Sequence, residues 1–149
     1  MTPLLALANI QAIKYEVFEH KADIGLHIYG PSFKGLLENA GAALFELMAD
    51  LSKVNVIDAI EVSAQGETVE ELFMAWLREL LYIFHGERYL LKEFEVTELS
   101  EGSVKGIMKG ERIDSKRHVM HGEVKGATYH RLEVKEVDGK WEARVILDV

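Results

Sequence analysis

The chain has 149 residues, 48% of them hydrophobic, which suits one compact domain with a core of its own. It contains no cysteine, which excludes disulfides, zinc–thiolate sites and thiol nucleophiles. No apolar run approaches the ~20 residues of a membrane-spanning helix. The net charge of −8 is uneven, since residues 1–100 carry 7 basic against 16 acidic side chains and residues 101–149 carry 10 against 9. Without a basic patch to neutralise phosphates, a direct grip on RNA or DNA is not expected, and a protein or metal-ion partner suits the surface better. A cytoplasmic location is the default expectation.

In chain order, Met1–Ala12 is apolar and uncharged but lacks the positive n-region of a secretory signal. It reads as a loosely held lead-in to a single domain spanning 1–149. Strands are predicted over Tyr15–Phe18 and Leu26–Tyr29 from their period of two. Ser32 then caps a helix whose apolar face is Phe33, Leu36, Leu37, Ala40, Leu44, Leu47, Met48 and Leu51. After a strand at Ile60–Ala64, Thr68 and Glu71 stand at capping-box spacing before a second helix. Its apolar residues, Val69 to Phe84 around Trp76, cover almost the whole circumference, so it should be the buried helix, with Gly86 as its stop. Further strands are predicted over Leu90–Leu99, Val104–Lys109, Val119–Val124, Ala127–Val137 and Lys140–Leu147. Strands arriving in runs give an α+β class: a largely antiparallel β-sheet with two α-helices packed on it.

Asp138-Gly139 is a strong two-residue type I′ turn signal and sets the register of the last hairpin. It puts Lys135 opposite Glu142, Glu133 opposite Arg144, Val134 opposite Ala143 and Leu132 opposite Val145, with charges on one face and apolar groups on the other. Extended, the same register puts Tyr129 opposite Asp148. The strand ends on Asp148 and Val149, a side-chain carboxylate and an α-carboxylate one residue apart, a pair that repels itself unless something positive lies between. A second polar cluster, Glu19, His20, Lys21 and Asp23, occupies a short loop between the first two strands. Were that loop to abut the last strand, Asp23, Asp148 and the Val149 carboxylate would form an all-oxygen nest with Glu19 nearby, the donor type taken by hard cations. An Asp in a turn is more often a turn-former than a ligand, so spacing alone is a weak signal for a metal site. His118 and His121 fall on opposite faces of the predicted strand, which argues against a zinc pair.

Three separated stretches resemble the archease family: Tyr15-Glu16-Val17-Phe18-Glu19-His20-Lys21-Ala22-Asp23-Ile24-Gly25, then Glu123-Val124-Lys125-Gly126-Ala127-Thr128-Tyr129-His130, and the ending Arg144-Val145-Ile146-Leu147-Asp148-Val149. Lys21 departs from the family's usual Thr. The resemblance implies an accessory factor of an RtcB-type RNA ligase in tRNA splicing, promoting guanylylation of the ligase and multiple turnover without catalysis of its own. It implies a divalent-cation site at Asp23, Asp148 and Val149, for calcium first, with magnesium or manganese as alternatives. It also links Lys125 with activation of the partner, and Glu19, His20 and Tyr129 are candidate supporting residues. A chaperone-like role toward an RNA methyltransferase and an independent metal-dependent hydrolase are the competing readings. No nucleophile elbow or glycine-rich nucleotide loop supports an enzyme.

Overall fold

A computed structural model describes residues 14–20 and 23–149, with the backbone alone for Glu19 and His20. The lead-in expected over residues 1–12 and the Lys21 departure lie outside the described residues. The elements run β1 (Tyr15–His20), β2 (Asp23–Gly30), α1 (Phe33–Met48), a short 3-10 turn (Leu51–Lys53), β3 (Asp58–Gln65), α2 (Val69–Glu87), β4 (Tyr89–Ser100), β5 (Ser103–Arg112), β6 (Gly126–Val137) and β7 (Lys140–Asp148). Every strand pairing is antiparallel. The strands divide between a four-stranded sheet, ordered β1-β2-β7-β6, and a three-stranded sheet, ordered β3-β5-β4. The α+β class with two helices on antiparallel strands is the one the patterning predicts.

Each helix touches both sheets, α1 through β2 and β4 and α2 through β3 and β6. Two covered sides require more apolar surface than a single stripe. In α1, Ala43 and Phe45 are therefore buried beside the predicted Leu36, Leu37, Ala40, Leu44 and Met48. The helices are joined by Trp76, whose indole N–H donates to the Leu37 carbonyl at 2.9 Å. A buried indole without that acceptor would carry an unmet donor worth ~1–3 kcal/mol. Gly41 lets β4 close on α1, because a Cβ there would stand 2.5 Å from the Phe94 ring.

The predicted caps form. Ser32 Oγ accepts from the Gly35 amide at 3.0 Å and Thr68 Oγ1 from the Glu71 amide at 3.1 Å. Glu71 reaches back to the Glu67 amide at 2.8 Å, satisfying another donor at the helix start. The stop of α2 is not Gly86, which lies inside the helix. Arg88 ends it instead in the left-handed region at φ 60°, its amide bonding to the Phe84 carbonyl at 3.1 Å. The Arg88 guanidinium lies over the Phe84 ring and reaches Glu123 at 3.5 Å, contacts that hold a non-glycine residue in this conformation.

Asp138 and Gly139 both have positive φ, as the type I′ turn requires. The register beyond it follows expectation through Glu133 opposite Arg144, then slips. Thr128 faces Ile146, Ala127 faces Leu147 and Gly126 faces Asp148, so Tyr129–Leu132 bulge against the single residue Val145. Leu132 therefore does not pair in a regular ladder with Val145, and Tyr129 does not face Asp148. Arg131, at φ 54°, makes the sharp bend inside the bulge. The strand predicted over Val119–Val124 is also absent. That segment pairs with the end of α1, through Asp50 N–H to the Val119 carbonyl at 2.9 Å and His121 N–H to the Met48 carbonyl at 2.7 Å, with one isolated bridge between Ala49 and Met120. Its backbone groups are met by a helix terminus, so no ladder is needed.

Candidate functional site

Four strand ends meet at one end of the four-stranded sheet. The β1–β2 hairpin pairs His20 with Asp23, so the backbones of Glu19 and His20 lie at this end. The β2–β7 register pairs Ile24 with Leu147, which sets Asp23 and Asp148 at the next position of neighbouring strands. On the other side of β7, Gly126 faces Asp148, and the Lys125 amide donates to the Asp148 carbonyl at 2.7 Å. Asp148, Val149 and Lys125 are exposed, and Asp23 is half-buried. The structure thus brings Asp23, Asp148, Val149 and Lys125 to one edge. Tyr129 sits apart in the bulge, under the Arg78 guanidinium at 5.5 Å from the ring centre.

Lys125 is held in place by the segment that precedes it. The buried carboxylate of Glu111 takes two hydrogen bonds from Arg117, at 2.8 and 2.5 Å, one from the Asn55 amide at 2.6 Å and one from His118 Nε2 at 3.0 Å. His118 Nδ1 accepts from the Asp114 amide at 2.8 Å, which fixes the tautomer with the proton on Nε2. The Arg117 hydrogen bonds, opposed by desolvation and helped by the Asn55 amide and His118, bring the Glu111 carboxyl down to about 2. Further along, His85 Nε2 donates to the carbonyl of buried Val124 at 2.7 Å. From Glu111 to Lys125 the chain is therefore tied to β5, to both helices and to β7. Sequence reading missed this clasp, because Glu111, Arg117 and His118 follow no periodic spacing. The one available signal was an acid, an arginine and a histidine grouped around a loop with no other assigned role.

The donors at the sheet end are carboxylates, a set that fits a hard divalent cation rather than zinc. Among the described residues no three His, Cys, Asp or Glu side chains gather closely enough to hold a metal ion. Among the described residues no helix is long and apolar enough to cross a membrane.

This architecture, a small α+β domain of two antiparallel sheets and two helices, has known counterparts. The family model described as the Archease protein family (MTH1598/TM1083) matches residues 15–149. Protein archease of Methanopyrus kandleri is 37% identical over 138 residues, covering 91% of this chain and 99% of the relative. That of Pyrococcus abyssi is 36% identical over 140 residues, with 91% and 99% covered. The solution structure of Methanobacterium thermoautotrophicum protein 1598 superposes with a TM-score of 0.78 at 36% identity, covering 91% of this chain and 99% of that one. The crystal structure of a Thermotoga maritima archease, described as a possible chaperone, shares the fold with a TM-score of 0.61 at 21% identity, over 90% of this chain and 96% of its own. The chain belongs to the archease family.

Proposed function

We propose that this chain is a non-catalytic accessory factor of an RtcB-type RNA ligase, and that the sheet end formed by Asp23, Asp148 and Lys125 is the surface that promotes ligase guanylylation and multiple turnover. The observation that supports the reading is the convergence of three separated motifs on that edge through the β2–β7–β6 pairing. Asp23, Asp148 and the Val149 carboxylate would hold a divalent cation, calcium first with magnesium or manganese as alternatives, which would supply positive charge for oxyanion recognition. Lys125 adds a cation on a stem whose backbone is fixed by Asp148 and by the Val124–His85 contact. Activation then follows from binding the pre-guanylylation state of the ligase more tightly than its resting state, since only differential affinity shifts a partner's equilibrium.

The test is the rate of ligase guanylylation with and without this protein, at controlled calcium and magnesium, for the wild type and the Asp23→Ala, Asp148→Ala and Lys125→Ala variants. The reading expects each variant to fold normally and to lose activation. Wild-type activation by Asp148→Ala would overturn it. The family resemblance implies a second reading, a chaperone-like role toward an RNA methyltransferase. Suppression of methyltransferase aggregation by a Lys125→Ala variant that no longer activates the ligase would separate the two.

A further inference from the structure

The outer face of the four-stranded sheet carries a cleft of about 410 Å³ lined by Phe18, Arg131, Leu132, Glu133, Arg144 and Ile146. That volume is in the range of small-molecule sites. Three uncommon features build it. The first is the bulge, in which Tyr129–Leu132 face the single residue Val145. The second is Arg131 in the left-handed region at φ 54°, a conformation that costs a residue bearing a Cβ and favours glycine. The third is the stacking of Arg144 on Phe18, with the guanidinium carbon 4.6 Å from the ring centre. Gly25 leaves the room that Phe18 occupies, since a Cβ there would come within 2.2 Å of the ring.

The charges on this face leave the two arginines over. Glu142 lies between Lys135 at 3.6 Å and His27 at 3.7 Å, and Glu133 leans toward Lys135 at 3.9 Å. Among the described residues neither Arg131 nor Arg144 has a carboxylate within ion-pair distance, although the chain as a whole is acidic at −8. A guanidinium seated over a ring still presents its N–H groups as a planar fork, the geometry that matches phosphate oxygens. A carboxylate fills one such fork. Two forks lining one cleft suit a group with more oxygens and more charge.

We propose that this cleft is a phosphate-binding site, taking a phosphate ester or anhydride between Arg131 and Arg144. The proposal is independent of the ligase reading, because its assay contains this chain alone.

Binding is measured by calorimetry and by chemical shifts of the arginine side chains, in the presence of a chelator so that no divalent cation carries the phosphate. The probes are inorganic pyrophosphate, a nucleoside triphosphate and a short oligonucleotide with a terminal phosphate, the last two distinguishing a free nucleotide from an RNA end. The wild type should bind at least one probe saturably, and Arg131→Gly and Arg144→Gln should each weaken it tenfold or more. Arg144→Lys keeps the charge but loses the fork, and should weaken binding nearly as much. Arg131→Gly should also melt at or above the wild-type temperature, because it relieves the left-handed backbone, so its loss of binding will not be a loss of fold. Absence of saturable binding of all three probes by the wild type would overturn the proposal, as would binding that Arg131→Gly and Arg144→Gln leave unchanged.

Discussion

Replacing Glu111 by Ala tests the clasp that holds Lys125. The substitution leaves two donors without an acceptor: the Asn55 amide, 2.6 Å from the carboxylate, and Nε2–H of His118, whose side chain is fully buried. Each orphaned donor costs ~1–3 kcal/mol. Arg117 is 42% exposed and keeps its bond to the Lys53 carbonyl at 3.1 Å, so it re-solvates at little cost. The sum is about 2–6 kcal/mol, or roughly 4–24 °C in melting temperature for a chain of this size. Urea denaturation at neutral pH measures the loss, and hydrogen exchange should show it first at the amides of residues 114–121. The pH dependence adds a second readout. Because the folded-state value of Glu111 lies below its ordinary 4.5, its contribution is fully present above 4.5 and is lost as pH falls toward about 2. Glu111→Gln, which keeps the shape but cannot titrate, should therefore lose less stability than the wild type across that window. A loss under ~0.5 kcal/mol for Glu111→Ala, the ordinary scatter of surface substitutions, would refute the clasp.

Gly110→Ala would place a Cβ 1.9 Å from the Leu90 carbonyl oxygen, a backbone group that cannot turn aside, so thermal denaturation should show a loss of about 1–3 kcal/mol or more. Gly126→Ala, with nothing within 4 Å of the added carbon, serves as the neutral control. His85→Ala removes the donor to the Val124 carbonyl, and chemical shifts of Lys125 should become averaged while the shifts of β3–β5 stay put; a rigid Lys125 in that variant would mean that the Asp148 carbonyl alone positions it.

Both helices, the caps at their starts and the Asp138-Gly139 turn were legible because each is set by contacts a few residues apart. Glu133 opposite Arg144 was legible for the same reason, since register propagates outward from the turn. The bulge was not, because its bend falls on an arginine and not on the glycine or asparagine that would signal positive φ. The Val119–Val124 segment misled through its alternation, as its partners, the end of α1 and His85, are remote in sequence. Division of the strands into two sheets likewise rests on long-range pairing. At the candidate site the carboxylates stood out as residues and the family resemblance singled them out as candidate ligands, but their meeting required the pairing of Ile24 with Leu147.

The missed bulge turns out to connect the two proposed sites. An unbroken ladder from the turn would set Lys125 opposite a position past Val149, beyond the end of β7. The bulge takes up three extra residues and so returns Lys125 to the level of Val149, where its amide reaches the Asp148 carbonyl, while its loop supplies Arg131 to the cleft. The two roles can be separated by deleting Tyr129–Arg131. The register on both sides of the bulge then survives, with Thr128 opposite Ile146 and Glu133 opposite Arg144. Leu132 becomes the residue facing Val145, an apolar side chain meeting a buried one, as an unbroken ladder requires. The deletion should fold, with stability within about 2 kcal/mol of the wild type once relief of the Arg131 backbone is set against the lost Arg78–Tyr129 stacking. It should retain ligase activation, because Asp23, Asp148 and Lys125 keep their register, and it should lose phosphate binding. A folded deletion variant that loses ligase activation would show that the bulge itself belongs to the partner surface, and the separation of the two sites would fail.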